Sequence, residues 1–260
     1  MDLVKSAEVF HFAKNKIVAG EKAIIANHNL HSLYLLRKDP ELRAFFGQAD
    51  LVEVDSIPLI LWARLVGRPS RRFHRCTYLD WRDEFWMQAE RNGWRTFFVG
   101  GRPGVAELAA DKIRAEFPGI RLETHHGYFD IKSGSAESDA VVNEIERFAP
   151  NVLIVGMGMP LQETWTLRNY DKLPACVVFT AGGAFDYEAG VQLSCPRWVG
   201  QLGIEWLFRL ITNPRLVSRY LFEPWSLIVP AARDLMSAIR RRFTPKPFGA
   251  NRSAYSRAAN

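Results

Sequence analysis

Short apolar runs alternate with amphipathic stretches along most of the chain. Runs at 23–26, 51–54, 96–99, 120–124, 152–155 and 177–180 are four or five residues long and read as buried strands. Between them, apolar positions recur at helical spacing over 31–37, 57–66, 81–92, 104–116, 136–148 and 162–170. Pro118-Gly119 and Pro150-Asn151 end helices ahead of the next strand, since neither pair continues a helix well. Strands alternating with helices predict an α/β fold, Rossmann-like, with a mainly parallel sheet flanked by helices. A length of 260 residues is enough for one such domain and an extension.

After Gly190 the pattern changes. Residues 198–211 read as an amphipathic helix with Leu202, Trp206 and Leu210 on one face, and Pro214 and Pro224 divide the rest into short helices. A last helix over about 224–243 ends in Arg240-Arg241-Arg242. The expected organisation is an α/β catalytic domain at 1–194, a helical basic and aromatic appendage at 195–243 that associates with membranes, and a disordered tail at 244–260.

Charge sharpens that division. Residues 195–260 hold 11 Lys and Arg against 3 acidic residues, whereas the preceding 194 hold 23 against 25. The whole basic excess therefore lies in the last quarter, interleaved with Trp198, Trp206, Phe208, Tyr220, Phe222 and Trp225. That mixture suits an anionic membrane surface or nucleic acid; a solvated helix face is the plainer alternative. Confinement to Trp-rich helices at the end of the chain favours the cytoplasmic membrane surface and disfavours nucleic acid. At 48% hydrophobic and 24% charged, the composition excludes a disordered chain. Cys76, Cys176 and Cys195 are far apart, with no metal-ligand spacing, and read as buried thiols in a reducing compartment. The start lacks a basic, apolar leader and no run approaches ~18 apolar residues, so a cytoplasmic protein is expected.

Three strands end in a glycine device leading into a helix: Gly100-Gly101-Arg102-Pro103, Gly156-Met157-Gly158-Met159-Pro160 and Gly182-Gly183-Ala184. Such turns bring backbone amides and a helix N-terminus to the carboxyl edge of a parallel sheet, where nucleotide phosphates bind. Each also has a purely conformational reading, because tight turns demand glycine. None completes Gly-x-Gly-x-x-Gly, and no P-loop is present. Gln162 and Glu163 lie just inside the second device's helix, where an amide can meet a sugar or base, or simply cap the helix. Asp186 is placed for a ribose hydroxyl or base, or for a turn. Asp55 ends the second strand, where a carboxylate faces the crevice as a general base or caps the next helix. Glu53 and Asp55, two apart, share a face, and a metal pair is conceivable there; the Asp-x-Asp signal of a divalent nucleotide site is absent. Asn27-His28-Asn29 offers polar groups to the same crevice, with a hydrogen-bonding structural role the expected one for His28. His125-His126 lacks a further ligand at zinc spacing.

Taken together, these stretches resemble the WecG/TagA/CpsF glycosyltransferases. The matching segments are Lys38-Asp39-Pro40-Glu41-Leu42 with Ala49-Asp50-Leu51 and Asp55, then Gly100-Gly101-Arg102-Pro103-Gly104-Val105-Ala106-Glu107 and His126-Gly127-Tyr128-Phe129. Gly156-Met157-Gly158-Met159-Pro160-Leu161-Gln162-Glu163, Gly182-Gly183-Ala184-Phe185-Asp186 and Leu202-Gly203-Ile204-Glu205-Trp206-Leu207-Phe208-Arg209-Leu210 complete the set. The resemblance implies a metal-independent, inverting transferase that extends an undecaprenyl-diphosphate-linked saccharide for exopolysaccharide or other surface glycans. A UDP-sugar is then the donor substrate and no cofactor is expected. It implies Asp55 as catalytic base, and Asn27 and Asn29 at the substrate. Arg75, Thr77 and Asp80 correspond to an Arg-x-Thr-Gly-x-Asp loop, and Gln162 and Asp186 hold the nucleotide-sugar beside Gly100, Gly101, Gly158, Gly182 and Gly183. Arg209, Arg215 and Arg219 resemble tail arginines that reach the site when the tail closes, a step compatible with a homo-oligomer off the membrane. Asn27 stands where the family often has Thr, Ser56 and Tyr78 where it has Gly, and Ser194-Cys195-Pro196 where Arg-Ala-Pro is common. These departures leave the donor sugar open. Two other classes also use such features: an NAD(P)-dependent oxidoreductase, and a non-catalytic lipid-carrier or scaffold protein.

Overall fold

The computed structural model describes residues 1–193, 195, 205–212 and 217–243. Six strands, β1 (Ala23–His28), β2 (Leu51–Val54), β3 (Arg95–Gly100), β4 (Arg121–His125), β5 (Val152–Gly156) and β6 (Val177–Thr180), form one sheet. Their order is β2-β1-β6-β5-β3-β4 and every neighbouring pair is parallel. The helices of the sheet region are α1 (Ser6–Ala19), α2 (Leu30–Leu36), α3 (Pro40–Gln48), α4 (Ile57–Leu65), α5 (Tyr78–Asn92), α6 (Val105–Glu116), α7 (Ala136–Phe148), α8 (Leu161–Asn169) and α9 (Ala184–Ala189). Three more lie beyond them: α10 (Glu205–Thr212), α11 (Val217–Leu221) and α12 (Ile228–Phe243). All six predicted strands and all six predicted helices of the sheet region are present, and the α/β Rossmann-like class holds.

Both sheet faces are covered, which is why β2, β5 and β6 are buried at every residue. Alternate side chains split between the two layers. Ile25, Phe98, Ile154 and Phe179 meet α1, α5, α6 and α9, while Phe97, Val99, Leu153, Val155 and Val178 meet α7 and α8. On the first face α5 supplies Trp81, Phe85 and Trp86 at helical spacing, each no more than 2% exposed. Rings of this size contribute about 2–3 kcal/mol each by burial. Gly93 ends α5 at φ 64°, a conformation glycine adopts without strain.

Two helices were not expected from the periodicity. α1 buries only Val9, Phe10 and Ala13, too few for a clear stripe. α3 starts on a cap the sequence does carry: Asp39 accepts from the amides of Glu41 and Leu42, with Pro40 at the first helical position. Near the end, Pro224 opens a short 3-10 turn, Pro224–Leu227, and the last helix starts after it, at Ile228. The expected 194/195 boundary and the segment 244–260 lie outside the described residues, as do Leu202 and Arg215.

Within the glycine devices, Gly100 and Gly156 prove to be sites of close backbone packing. Gly100 and Gly156 are register partners in β3 and β5, and a Cβ on Gly100 would collide with the Gly156 backbone. A Cβ on Gly156 would sit 2.6 Å from both the Gly182 carbonyl oxygen and the Phe98 ring. That ring is itself stacked on Phe185 of α9 at 3.5 Å between centroids. Gly156→Ala should therefore destabilise the fold by about 3 kcal/mol or more, read as a lowered denaturation midpoint. A change below ~1 kcal/mol would mean that these strands separate more freely than the packing indicates.

The first turn of α8 also buries a carboxyl. Glu163 is fully buried; its Oε1 accepts from Gln162 Nε2 at 2.7 Å, and its Oε2 has no partner among the described residues. Burial raises it from 4.5 to about 7, against the opposing hydrogen bond from Gln162. A carboxyl raised on folding binds more protons in the folded state, so stability falls as pH rises from about 4.5 through 7. Replacing it with a neutral amide removes that slope. The stability difference between Glu163→Gln and wild type should grow in the variant's favour by on the order of 3 kcal/mol from pH 4.5 to 8, measured by urea unfolding. A difference independent of pH would show Glu163 ionised throughout.

Candidate active site

The carboxyl ends of β1, β2, β5 and β6 open onto one cleft of about 670 Å³. Each contributes side chains for a local reason. After β1, Asn29 caps α2, its Oδ1 accepting from the amides of His31 (2.9 Å) and Ser32 (3.1 Å). Asn27 donates from Nδ2 to Glu53 Oε1 at 3.2 Å, across the β1–β2 pair that sets those residues opposite each other. His28 faces away from the cleft and is a structural residue: it is buried, its Nδ1 lies 2.7 Å from Ser32 Oγ, and burial lowers it to about 4.

At the end of β2 two residues compete for the helix cap, and Ser56 takes it by accepting from the Leu59 amide. Asp55 therefore does not serve as the cap and lines the cleft with Glu53. The chain then returns alongside β2: Arg75 bridges to Val54 in parallel, and the Cys76 amide donates to the Val54 carbonyl at 2.9 Å. This return places the Arg75 guanidinium 3.7 Å from both Asp55 Oδ1 and Asp80 Oδ2. Thr77, at the cap of α5, donates to Asp80 Oδ2 at 2.8 Å. Arg75, Thr77 and Asp80 thus meet Asp55 as one charged wall.

Across the cleft, Gln162 connects two of the glycine turns. Its Oε1 accepts from the Gly158 amide at 3.2 Å and from the Gly182 amide at 3.0 Å. This changes the phosphate-cradle expectation, because both of those amides already have an acceptor. Gly158, Gly182 and Gly183 do line the cleft, whereas Gly100 and Gly101 are not among its lining residues. Asp186, in the first turn of α9, faces the cleft; burial raises its carboxyl above the usual range, opposed by the charge of Arg102.

The tail closes one side. Arg219 of α11 lines the cleft with an Nη2 3.5 Å from Asn29 Oδ1. Four residues on, Glu223 lies 2.7 Å from His31 Nδ1, and Arg37 donates to the Ser226 carbonyl. Burial and the nearby Arg219 charge lower His31, against the pull of Glu223. The Arg209 side chain, on α10, and the whole of Arg215 lie outside the described residues. Cys76 and Cys176 are buried as expected, but Cys195 is half-buried and lines the cleft.

Glu53 and Arg72 complete the charged lining, and neither was assigned a substrate role from the sequence. The signal for Glu53 was the two-residue spacing to Asp55; Arg72 lies in a basic stretch without pattern. Among the described residues, no three His, Cys, Asp or Glu side chains group to hold a metal ion. A dinucleotide-binding fold places its glycine-rich turn after the first strand. Here that position is Asn27-His28-Asn29, with the helix amides already met by Asn29, which disfavours the oxidoreductase reading.

The model of the "Glycosyl transferase WecG/TagA/CpsF family" matches residues 1–241, from the N-terminal helix through the tail. Two relatives from Staphylococcus aureus, strains MRSA252 and NCTC 8325 / PS 47, bear the name N-acetylglucosaminyldiphosphoundecaprenol N-acetyl-beta-D-mannosaminyltransferase. Each is 26% identical over 214 residues, covering 78% of this chain and 82% of the relative. With its sheet and cleft inside that match, the chain belongs to the WecG/TagA/CpsF family of glycosyl transferases.

Proposed function

We propose that this enzyme moves a sugar from a UDP-sugar onto an undecaprenyl-diphosphate-linked saccharide, with inversion and without a divalent ion, in the synthesis of an exopolysaccharide or another surface glycan. One juxtaposition carries the reading: the Asp55 carboxylate, released from capping by Ser56, faces the same cleft as Asp186 and the β6 glycine turn. The acceptor class comes from the names of the relatives, which specify N-acetylglucosaminyl diphosphoundecaprenol. The donor is taken only as a UDP-sugar, because Asn27 and Glu53 give this cleft a wall of its own.

In the proposed step Asp55 takes the proton from an acceptor hydroxyl. The freed oxygen attacks the anomeric carbon from the face opposite the diphosphate, the bond from that carbon to the phosphate oxygen breaks, and UDP leaves with the electron pair. With the Gly158 and Gly182 amides bound to Gln162, the leaving charge is met chiefly by arginines that line the cleft, Arg72 and Arg219, while Arg75 orients Asp55. Asp186 binds the nucleotide-sugar, and Asn29 holds Arg219 in place. Removing the base should lower transfer by about a thousandfold, in Asp55→Asn, with wild-type activity retained in EDTA. The assay is UDP release from a panel of UDP-sugars with a lipid-linked acceptor. Full activity in the variant, or an absolute demand for a divalent ion, would contradict the mechanism.

The same reading puts the enzyme on the membrane that carries its acceptor. No described helix is long and apolar enough to cross a membrane. The described tail instead exposes Trp206, Ile211, Phe222, Trp225, Ile228 and Met236, alongside Arg233 and Arg240. Exposed aromatics with basic residues suit the interface of an anionic leaflet, at roughly 1 kcal/mol per basic residue near the surface. Binding to vesicles containing anionic lipid should weaken as salt rises from 0.05 to 0.5 M (roughly the range over which screening sets in) and vanish when residues beyond 195 are removed. Equal flotation of the truncated chain would sink the tail assignment.

A further inference from the structure

Glu53 stands in the cleft wall without a part in the transfer step. β2 sets Glu53 and Asp55 on one face, with Cα atoms about 7 Å apart, and both line the cleft. Their surroundings differ sharply. Asp55 keeps 22% of its side-chain surface and has the Arg75 guanidinium at 3.7 Å. Glu53 is 2% exposed; Oε1 accepts from Asn27, and Oε2 has no hydrogen-bond partner among the described residues.

The groups acting on Glu53 come from each element around it. Asn27 on β1 is neutral, and Asp55 just after β2 and Asp80 on α5 are acidic. The Cys76 thiol adjoins it from the returning segment and lies 3.3 Å from Ser6 Oγ of α1. Arg75 faces Asp55 and Asp80 at 3.7 Å each. Two ionised carboxylates this close in a poorly solvated wall repel, and the one with less water and no ion pair among the described residues is the one to stay neutral.

We infer that Glu53 is a positioning residue acting through Asp55: in the working enzyme it holds a proton, and so leaves Asp55 as the ionised partner that accepts one from the acceptor hydroxyl. The inference rests on the reading of Asp55 as general base. Burial pushes Glu53 up to about 7, opposed by Asn27 and Cys76 and reinforced by the charges of Asp55 and Asp80. The consequence has a definite sign. As pH rises through that value Glu53 ionises, and its new charge repels the diphosphates of donor and acceptor and spoils the balance at Asp55. Activity should then fall on the alkaline side.

The test is kcat/KM of the full chain against pH, from 5.5 to 9, with a UDP-sugar and a lipid-linked acceptor. Wild type should decline about tenfold per unit above roughly pH 7. Glu53→Gln, whose amide cannot ionise, should lose that decline whatever its absolute rate. Asn27→Leu, which removes a donor favouring the ionised form, should move the decline to higher pH. An alkaline decline of unchanged position in Glu53→Gln overturns the inference.

Infrared difference spectra of the substrate-free protein give a second readout if the variants transfer poorly. A protonated carboxyl band should be present in wild type at pH 6, titrate near 7 and be missing from Glu53→Gln; in Asp55→Asn, which lacks one charge favouring the neutral form, it should persist but titrate at lower pH. The separate band of Glu163 remains in all three. Identical bands in wild type and Glu53→Gln at pH 6 mean that Glu53 is ionised, and the inference fails. Transfer retained by Asp55→Asn, by contrast, removes the base assignment while the band still reports the state of Glu53.

Discussion

A single side-chain carbonyl sets the width of the cleft. Gln162 Oε1 accepts from the amides of Gly158 and Gly182, the outgoing turns of β5 and β6, and so fixes the spacing of two strand ends where no sheet hydrogen bond reaches. Amides away from water need partners, and here one buried acceptor serves two half-buried ones. The turns can come so close only because Gly100, Gly156 and Gly182 stack backbone against backbone beneath. The positions of Gly183 and Asp186 result from that spacing. The opposite wall is fixed independently by the Arg75 segment pairing with the end of β2.

The sheet and most of its helices were legible because period and length are written directly into apolar spacing. Roles at the strand ends were harder. A sequence shows that a turn uses glycine, but not whether positive φ, a ligand or a neighbouring backbone demands it. Gly158, at φ 80° with nothing near a Cβ, needs glycine for conformation, whereas Gly156 needs it for contact. Adjacent Asp55 and Ser56 both suit a helix cap, and only the fold decides that Ser56 fills it. Gln162 showed its helix-start position but not its two amide partners, which lie four and twenty residues away. Arg72 was missed as a cleft residue because tertiary return of the chain, not local pattern, brings it there, whereas Glu53 showed its shared face with Asp55 but not its burial.

The molecule carries two buried carboxyls near the cleft, Glu53 and Glu163, each held up to about 7 by burial. Neither contributes to stability at neutral pH; both oppose it. The opposing weight lies in the aromatic layer between α5 and the sheet, where Trp81, Phe85 and Trp86 pack with Phe98 and Phe179. That division is physically sensible. The strand interiors and the aromatic layer hold the sheet, and the strand ends are left polar and strained in charge, where a reaction can use the imbalance.

Asn29 occupies a junction with two masters. Its Oδ1 closes the first turn of α2 by accepting two amides, and the same oxygen receives the Arg219 guanidinium from the tail. A carbonyl already polarised by a cation is a different acceptor for the helix, and a well-ordered cap is a better-placed acceptor for the cation. Order in α2 and docking of the tail are therefore linked quantities, each biasing the other by the same free energy. Whatever seizes Arg219, whether a diphosphate in the cleft or a phosphate at the membrane, also loosens or tightens the start of α2, and with it the far side of the wall that holds Glu53 and Asp55.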